Sequence, residues 1–195
     1  MKIKACVIAA IIAATSFSPA QAAPNYVFPI VGCDYTYAKA HHDYPATDIL
    51  AKAGCKYVAV TSGVIDEVNR VDSWSGKTNL GVDRGGLYVS FIGDDGVRYY
   101  ASHLRTIPQS IQPGVVVKAG RLLGSVGATG SARGTKPHIH FGLSWSTPPQ
   151  TWWVRRGMVW PWKYLDAWKA GKDLSPAKEV EAKRLKVGDL PPEPK

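Results

Sequence analysis

Cysteine is scarce in this sequence. The chain of 195 residues has three, and one of them, Cys6, sits inside an apolar N-terminal run. A structural zinc site normally takes four protein ligands, commonly thiolates, and the two remaining cysteines cannot supply such a set. After residue 22 no segment approaches the ~20 consecutive apolar residues that a membrane-spanning helix requires. Basic residues outnumber acidic ones by 24 to 15, yet there is no Lys/Arg run and no nucleic-acid-binding motif. Long helical periodicity is missing from most of the chain. Histidine is rare as well: the five are His41, His42, His103, His138 and His140, all in segments of site-like character and none scattered elsewhere.

The first 22 residues read as a secretory signal. Met1-Lys2-Ile3-Lys4 is a basic start, Ala5 to Phe17 is mostly apolar, and Ala20-Gln21-Ala22 carries small residues at a cleavage spacing. Cys6 lies within the apolar run rather than just after a cleavage point, so no lipoprotein anchor is expected. The exported remainder is expected to be soluble, without a membrane span. It keeps 22 basic against 15 acidic residues, a net charge of about +7, which suits an anionic surface such as a bacterial wall polymer. Export argues against nucleic acid as a partner. Two cysteines, Cys33 and Cys55, remain in an oxidising compartment, and the even count predicts a disulfide. That bridge would clamp a loop containing His41, His42 and Asp48.

Residues 23–40 form an extended lead-in. A β pattern starts at Lys56: Tyr57–Val60, Gly63–Val68, Leu87–Ile92, Val97–Leu104, Val115–Val117 and Arg121–Val126 are short apolar or alternating runs. Gly93-Asp94-Asp95-Gly96 is a hairpin signal, and Lys118-Ala119-Gly120 is another turn. A polar, Gly-rich loop with Trp74 spans 72–86. The Trp-rich stretch 144–162 is either a final strand pair packed on the sheet or an aromatic wall of a substrate groove. Ser175-Pro176 can cap a short helix ending near Val187, and Gly188 to Lys195 is expected to be a disordered tail. The fold class predicted is mostly β, a single antiparallel sheet or sandwich-like domain over 41–168 with a charged C-terminal extension over 169–195.

Gly127 to Phe141 is the centre of the sequence. Its first half has turn chemistry. Its second half alternates His138, His140 and Gly142 with Ile139, Phe141 and Leu143, so both histidines fall on one strand face. The alternative is a strand with two exposed histidines. The segment His41-His42-Asp43-Tyr44-Pro45-Ala46-Thr47-Asp48 adds two imidazoles and a carboxylate, a ligand set suited to zinc. One of His41 and His42, Asp48, and one of His138 and His140 would give three ligands and an open fourth position, the pattern of a catalytic zinc. Even spacing favours His42 if the segment stays extended, whereas a turn at Pro45 favours His41. Zinc brings a bound water to a pKa near ~7, and the remaining histidines, with His103, would handle protons and a developing oxyanion.

Three ordered blocks resemble the lysostaphin/LytM-type zinc endopeptidases, which cut peptide bonds in bacterial peptidoglycan: the His…Asp segment at 41–48, Tyr100-Ala101-Ser102-His103-Leu104, and Gly127 through Phe141. The turn at Val117–Gly124 also fits, and Trp160–Leu165 matches more loosely. The resemblance implies His140 and Asp48 as zinc ligands with His42 (or His41) as the first. It also implies His138 and His103 as catalytic histidines, one zinc per chain, and a small antiparallel β domain with the metal in a long groove. Two details depart from the common pattern. The first histidine there stands four residues before the aspartate with a glycine between, whereas here Tyr44-Pro45-Ala46 intervenes. One extra residue also separates Ala101 from His103.

The expected function is an exported zinc metalloendopeptidase acting, as a monomer, on peptidoglycan stem or cross-bridge peptides in the periplasm or cell wall. The alternative is a non-catalytic wall-binding or regulatory module of the same fold. Lys118-Ala119-Gly120 also resembles the turn of lipoyl or biotinyl carriers, but export and the lack of a Met-Lys-Met-like attachment site argue against that role.

Overall fold

The computed structural model describes residues 25–194; the secretory signal read over 1–22 lies outside them. Ten strands follow in order: β1 (Ile30–Val31), β2 (Tyr35–Tyr37), β3 (Thr47–Ala51), β4 (Lys56–Val58), β5 (Gly63–Asn69), β6 (Tyr88–Gly93), β7 (Arg98–Ser102), β8 (Val116–Val117), β9 (Leu122–Ser125) and β10 (His138–Ser144). Three short helices close the chain: α1 (Trp152–Arg155), α2 (Trp162–Lys169) and α3 (Ala177–Val187). The strands form a seven-stranded sheet of order β2-β3-β10-β7-β6-β5-β8 and a three-stranded sheet of order β1-β4-β9. Every strand pairing among the described residues is antiparallel. The mostly β, antiparallel architecture is therefore as the alternation predicts.

One core serves both sheets. Ile30, Tyr57 and Leu123 from the small sheet pack in the same buried cluster as Phe91, Tyr99 and Phe141 from the large one. Along β10 the period of two holds: Ile139, Phe141 and Leu143 are fully buried in that core, so His138 and His140 take the opposite face. The hairpin between β6 and β7 closes where the Asp-Gly signal stands, with Gly96 at φ 79° and its N–H on the Gly93 carbonyl at 2.8 Å.

Cys33 and Cys55 are joined, their Cα atoms 6.0 Å apart, and close a span of 22 residues. In the chain-entropy picture a loop of that size stabilises the fold by about 3 kcal/mol. The bridge anchors the connection that carries β2, the 41–46 turn and β3.

A buried ionic chain ties α1 to the sheet. Arg98 is fully buried on β7 and its Nε meets Asp66 Oδ2 at 2.9 Å. Its second arm reaches Glu67 at 3.8 Å, and Glu67 also holds Arg155 at the end of α1. Burial pushes the Glu67 carboxyl up, and the two guanidinium groups pull it back. Removing any member would leave a neighbouring charge uncompensated in a dry setting, so the position of α1 relative to β5 and β7 is strongly fixed.

Two expectations are corrected. The Trp-rich stretch is not a strand pair: it forms α1 and the start of α2, with an isolated bridge between Leu143 and Val159. Residues 188–194 have no regular structure, as expected, but they are held rather than free, because Trp145 and Trp153 donate their indole N–H groups to the carbonyls of Asp189 and Pro191. The C-terminal helix stands where Ser175-Pro176 places it, and Ser175 Oγ accepts the Ala177 N–H at 3.1 Å.

Candidate metal centre and groove

Strand register builds the site. β10 lies between β3 and β7, and His140 stands directly opposite Asp48 on one side and Ser102 on the other. Directly opposed residues on one sheet face have neighbouring side chains. His140 Nδ1 accordingly lies 3.1 Å from Asp48 Oδ1. The 41–46 segment bends over this pair and brings His41 Nε2 to 3.6 Å from the same carboxylate oxygen. His41, Asp48 and His140 thus present ligand atoms all within 4.8 Å of one another.

His42, favoured on even spacing, is not in this group. The spacing argument needs an extended segment, but residues 42–45 bend and β3 begins only at Thr47. His42 is exposed on the groove edge, while the His41 side chain is 7% exposed. The bend at residues 42–45 therefore brings His41, rather than His42, to the Asp48 carboxylate.

The donor set fits a divalent metal. Zinc bonds of about 2.0–2.2 Å in a tetrahedral arrangement set ligand atoms roughly 3.3–3.5 Å apart, close to the 3.1 and 3.6 Å edges found here. The tautomers fit as well. His140 Nε2 donates to the Arg156 carbonyl at 2.8 Å, which leaves Nδ1 as the lone-pair nitrogen facing Asp48. That carbonyl can come so close because residue 142 is glycine: a Cβ there would stand 2.3 Å from the Arg156 oxygen.

His103 and His138 flank the group, their ring centroids 5.0 Å apart. His103 Nδ1 pairs with the Thr129 carbonyl at 2.8 Å, and His138 Nδ1 with the Lys136 carbonyl at 2.7 Å. Each bond makes Nδ1 the protonated nitrogen and leaves Nε2 as an acceptor. His103 follows the end of β7 with φ at 64°, a left-handed conformation that is uncommon for non-glycine residues and concentrates at functional positions.

Burial disfavours charge on two of these imidazoles. It lowers His41 to about 4, assisted by His140 and His42 and opposed by Asp48. It lowers His103 to about 3, assisted by His140 and His138. Burial works the other way on Asp48, but His140 and the surrounding imidazoles outweigh it and bring the carboxyl to about 2.

The centre opens into a groove of about 430 Å³. Its walls come from the 41–44 turn, the 81–84 turn of the Gly-rich loop, residues 131–136 and the α1 region. None of residues 25–40 lines it. Trp152 does, while Trp145 and Trp168 are buried, so the aromatic-wall reading of the Trp-rich stretch holds for one side chain. Sequence reasoning missed Tyr44, whose ring lies 4.7 Å from that of His41, and the Arg156 carbonyl. A backbone oxygen leaves no residue signature, but a glycine inside a strand is a sign of close backbone approach.

Comparisons with known proteins give the family and the fold. The sequence model of peptidase family M23 matches residues 42–151. A curated relative, the L-Ala--D-Glu endopeptidase of Bacillus subtilis, is 24% identical over 160 residues, or 74% of this chain. The chain spans 44% of that relative's length. The catalytic domain of lysostaphin, an antimicrobial peptidase from Staphylococcus simulans, superposes with a TM-score of 0.51 at 26% identity, covering 68% of this chain and 92% of that one. A candidate glycyl-glycine endopeptidase, LytM, from Ruminococcus gnavus shares the fold with a TM-score of 0.58 at 20% identity, covering 76% and 62%.

Gly142→Ala is expected to push the Arg156 carbonyl off His140 and to weaken zinc affinity roughly 10- to 100-fold, read by competition with a chromophoric chelator. In the metal-free protein, His41 and His103 carry pKa values below the unfolded 6.5. The unfolded chain then binds more protons between about pH 6.5 and 4, so stability is full above that window and falls as pH drops through it. Asp48 extends the loss below pH 4. Urea midpoints measured against pH in the presence of chelator check the sign.

Proposed function

The chain belongs to peptidase family M23, and from that membership we propose that it is an exported zinc metalloendopeptidase that hydrolyses peptide bonds in bacterial peptidoglycan. The observation that carries this reading is the convergence of His41, Asp48 and His140 at the floor of a groove with His103 and His138 beside them. A wall-binding module of this fold would not need a complete ligand set and two flanking histidines. Residues 41–168 form the catalytic unit, with Cys33–Cys55 holding the ligand-bearing turn, and the protein acts as a monomer.

His41 Nε2, an Asp48 oxygen and His140 Nδ1 hold the metal. When bound, the metal supplies Lewis acidity toward a carbonyl oxygen and lowers the pKa of water. The chain provides the rest. The groove aligns an extended peptide across the centre, and its walls limit the water around the reacting carbonyl. His138 and His103 each have Nδ1 on a backbone carbonyl, which turns Nε2 toward the groove as the nitrogen that can take a proton. One accepts the proton of the attacking water and passes it to the leaving amine. The same imidazolium, before it passes the proton on, donates a hydrogen bond to the developing oxyanion, and the neighbouring ring, 5.0 Å away between centroids, packs beside it. Burial keeps His103 neutral at working pH, which suits it to begin as an acceptor.

The test uses the exported chain on purified peptidoglycan. One zinc per chain is expected, with new amino termini released from the wall. His138→Ala should keep its zinc and lose about 10²- to 10⁴-fold in turnover. A wall-binding module would instead bind peptidoglycan and release nothing in either form.

A further inference from the structure

The arginines of this protein fall into three groups, and Arg105 and Arg121, exposed and outside the groove, make up the first. Arg98 and Arg155 are neutralised by Asp66 and Glu67, Arg133 by Asp72, and Arg184 by Glu181 and Asp189. Arg70 is turned inward onto the carbonyls of Ile107, Pro108 and Ile111. Arg84 and Arg156 differ. Both line the groove, and neither has a carboxylate at ion-pair distance among the described residues.

Arg156 is nevertheless fixed in place. Its guanidinium carbon lies 3.7 Å from the ring centre of Tyr44 and 5.0 Å from that of Trp152. The clamp draws on three parts of the chain. Tyr44 comes from the turn that carries His41. Trp152 comes from α1, which the buried Glu67–Arg155 pair anchors. The third is Gly81, where a Cβ would collide with the Trp152 ring at 2.1 Å. Arg84 follows that turn and donates its Nε to Asn79 Oδ1 at 3.1 Å, leaving its terminal nitrogens uncommitted.

Two like charges thus line a groove whose carboxylates, among the described residues, are Asp43 and Asp48. Asp48 belongs to the metal group. Burial and the neighbouring Arg84 both disfavour the charge on Arg156, while Tyr44 and, more weakly, Asp43 and Glu193 support it. An anion placed against the pair would relieve this repulsion, and a planar guanidinium on a rigid mount is suited to bidentate carboxylate recognition.

Building on the peptidase reading, we propose that Arg156, clamped by Tyr44 and Trp152 and supported by Arg84, forms a carboxylate-binding subsite beside the metal centre, so that the groove selects acidic peptides over neutral ones. Arg156 is a specificity residue: its side chain touches the substrate away from the reacting atoms. The chemistry recognised is a free carboxylate one or two residues from the scissile bond, as in peptides containing glutamate or a diamino diacid. A neutral glycyl bridge lacks it.

The test compares three synthetic peptides: one with free side-chain carboxylates, the same peptide with carboxamides, and pentaglycine. The zinc-loaded protein is expected to favour the carboxylate form about 10-fold or more in kcat/KM, mostly through KM. In Arg156→Met that ratio should fall toward one, and Arg156→Lys should restore part of it because it keeps the charge without the fork. Thermal unfolding of both variants controls for folding. Calorimetric binding of the same peptides to His138→Ala reads the subsite without turnover. Tighter binding of the carboxylate form supports the subsite even if no peptide is cut, in which case the peptidase reading fails and the subsite stands. Equal affinity for the two forms, or a preference that survives in Arg156→Met, overturns it.

Discussion

The pairing of β10 with β3 is the constraint on which the rest depends. It sets His140 opposite Asp48, and a slip of one residue would turn both histidines of β10 into the core and bring Ile139 and Phe141 out onto the groove face. Burial of Ile139, Phe141 and Leu143 prevents that slip. The same alternation that fills the core therefore aims the metal-binding nitrogen. On the other flank, β7 pairs with β10 and delivers His103 one residue after it ends. Two neighbouring strands thus serve one central strand, and each brings a group from a distant part of the sequence.

A second layer of contacts makes this arrangement specific. Backbone carbonyls of Arg156, Thr129 and Lys136 each take an imidazole N–H, so three histidines have assigned tautomers before any ligand arrives. The Arg156 carbonyl depends on the place of α1, which depends in turn on the Glu67 bridge to Arg155 and Arg98. A fully buried arginine on β7 is thus linked to His140 through Glu67, Arg155 and the Arg156 carbonyl. The same helix lends Trp152 to the groove wall and Arg156 follows directly after it, so the carbonyl on His140 and the shape of the groove come from one short stretch.

Much of this was legible in the sequence. The period of two around His138 and His140, the Asp-Gly hairpin, the paired cysteines and the Ser175 cap each have a local physical cause, and each appears where that cause places it. The first histidine was harder. Both choices rest on whether Tyr44-Pro45-Ala46 stays extended, and the bend that brings His41 to Asp48 is accompanied by long-range contacts, the Tyr44 ring on Arg156 and the Pro45 carbonyl close to Gly157. The Trp-rich stretch was misread for a related reason. Aromatic residues favour strands on a pleated surface, but here they cap the end of β10 and wrap it with short helices. The clamp on Arg156 joins residues 44, 81 and 152, and no local pattern could have connected them.

The central claim is that His41, rather than His42, completes the metal group with Asp48 and His140. Zinc content and X-ray absorption at the zinc edge, measured on His41→Ala and His42→Ala beside the parent chain, test it most directly. The account predicts that His42→Ala keeps one zinc with an unchanged ligand shell, while His41→Ala loses the metal or binds it with one nitrogen fewer. The opposite pattern, with zinc retained unaltered in His41→Ala and lost in His42→Ala, would contradict it.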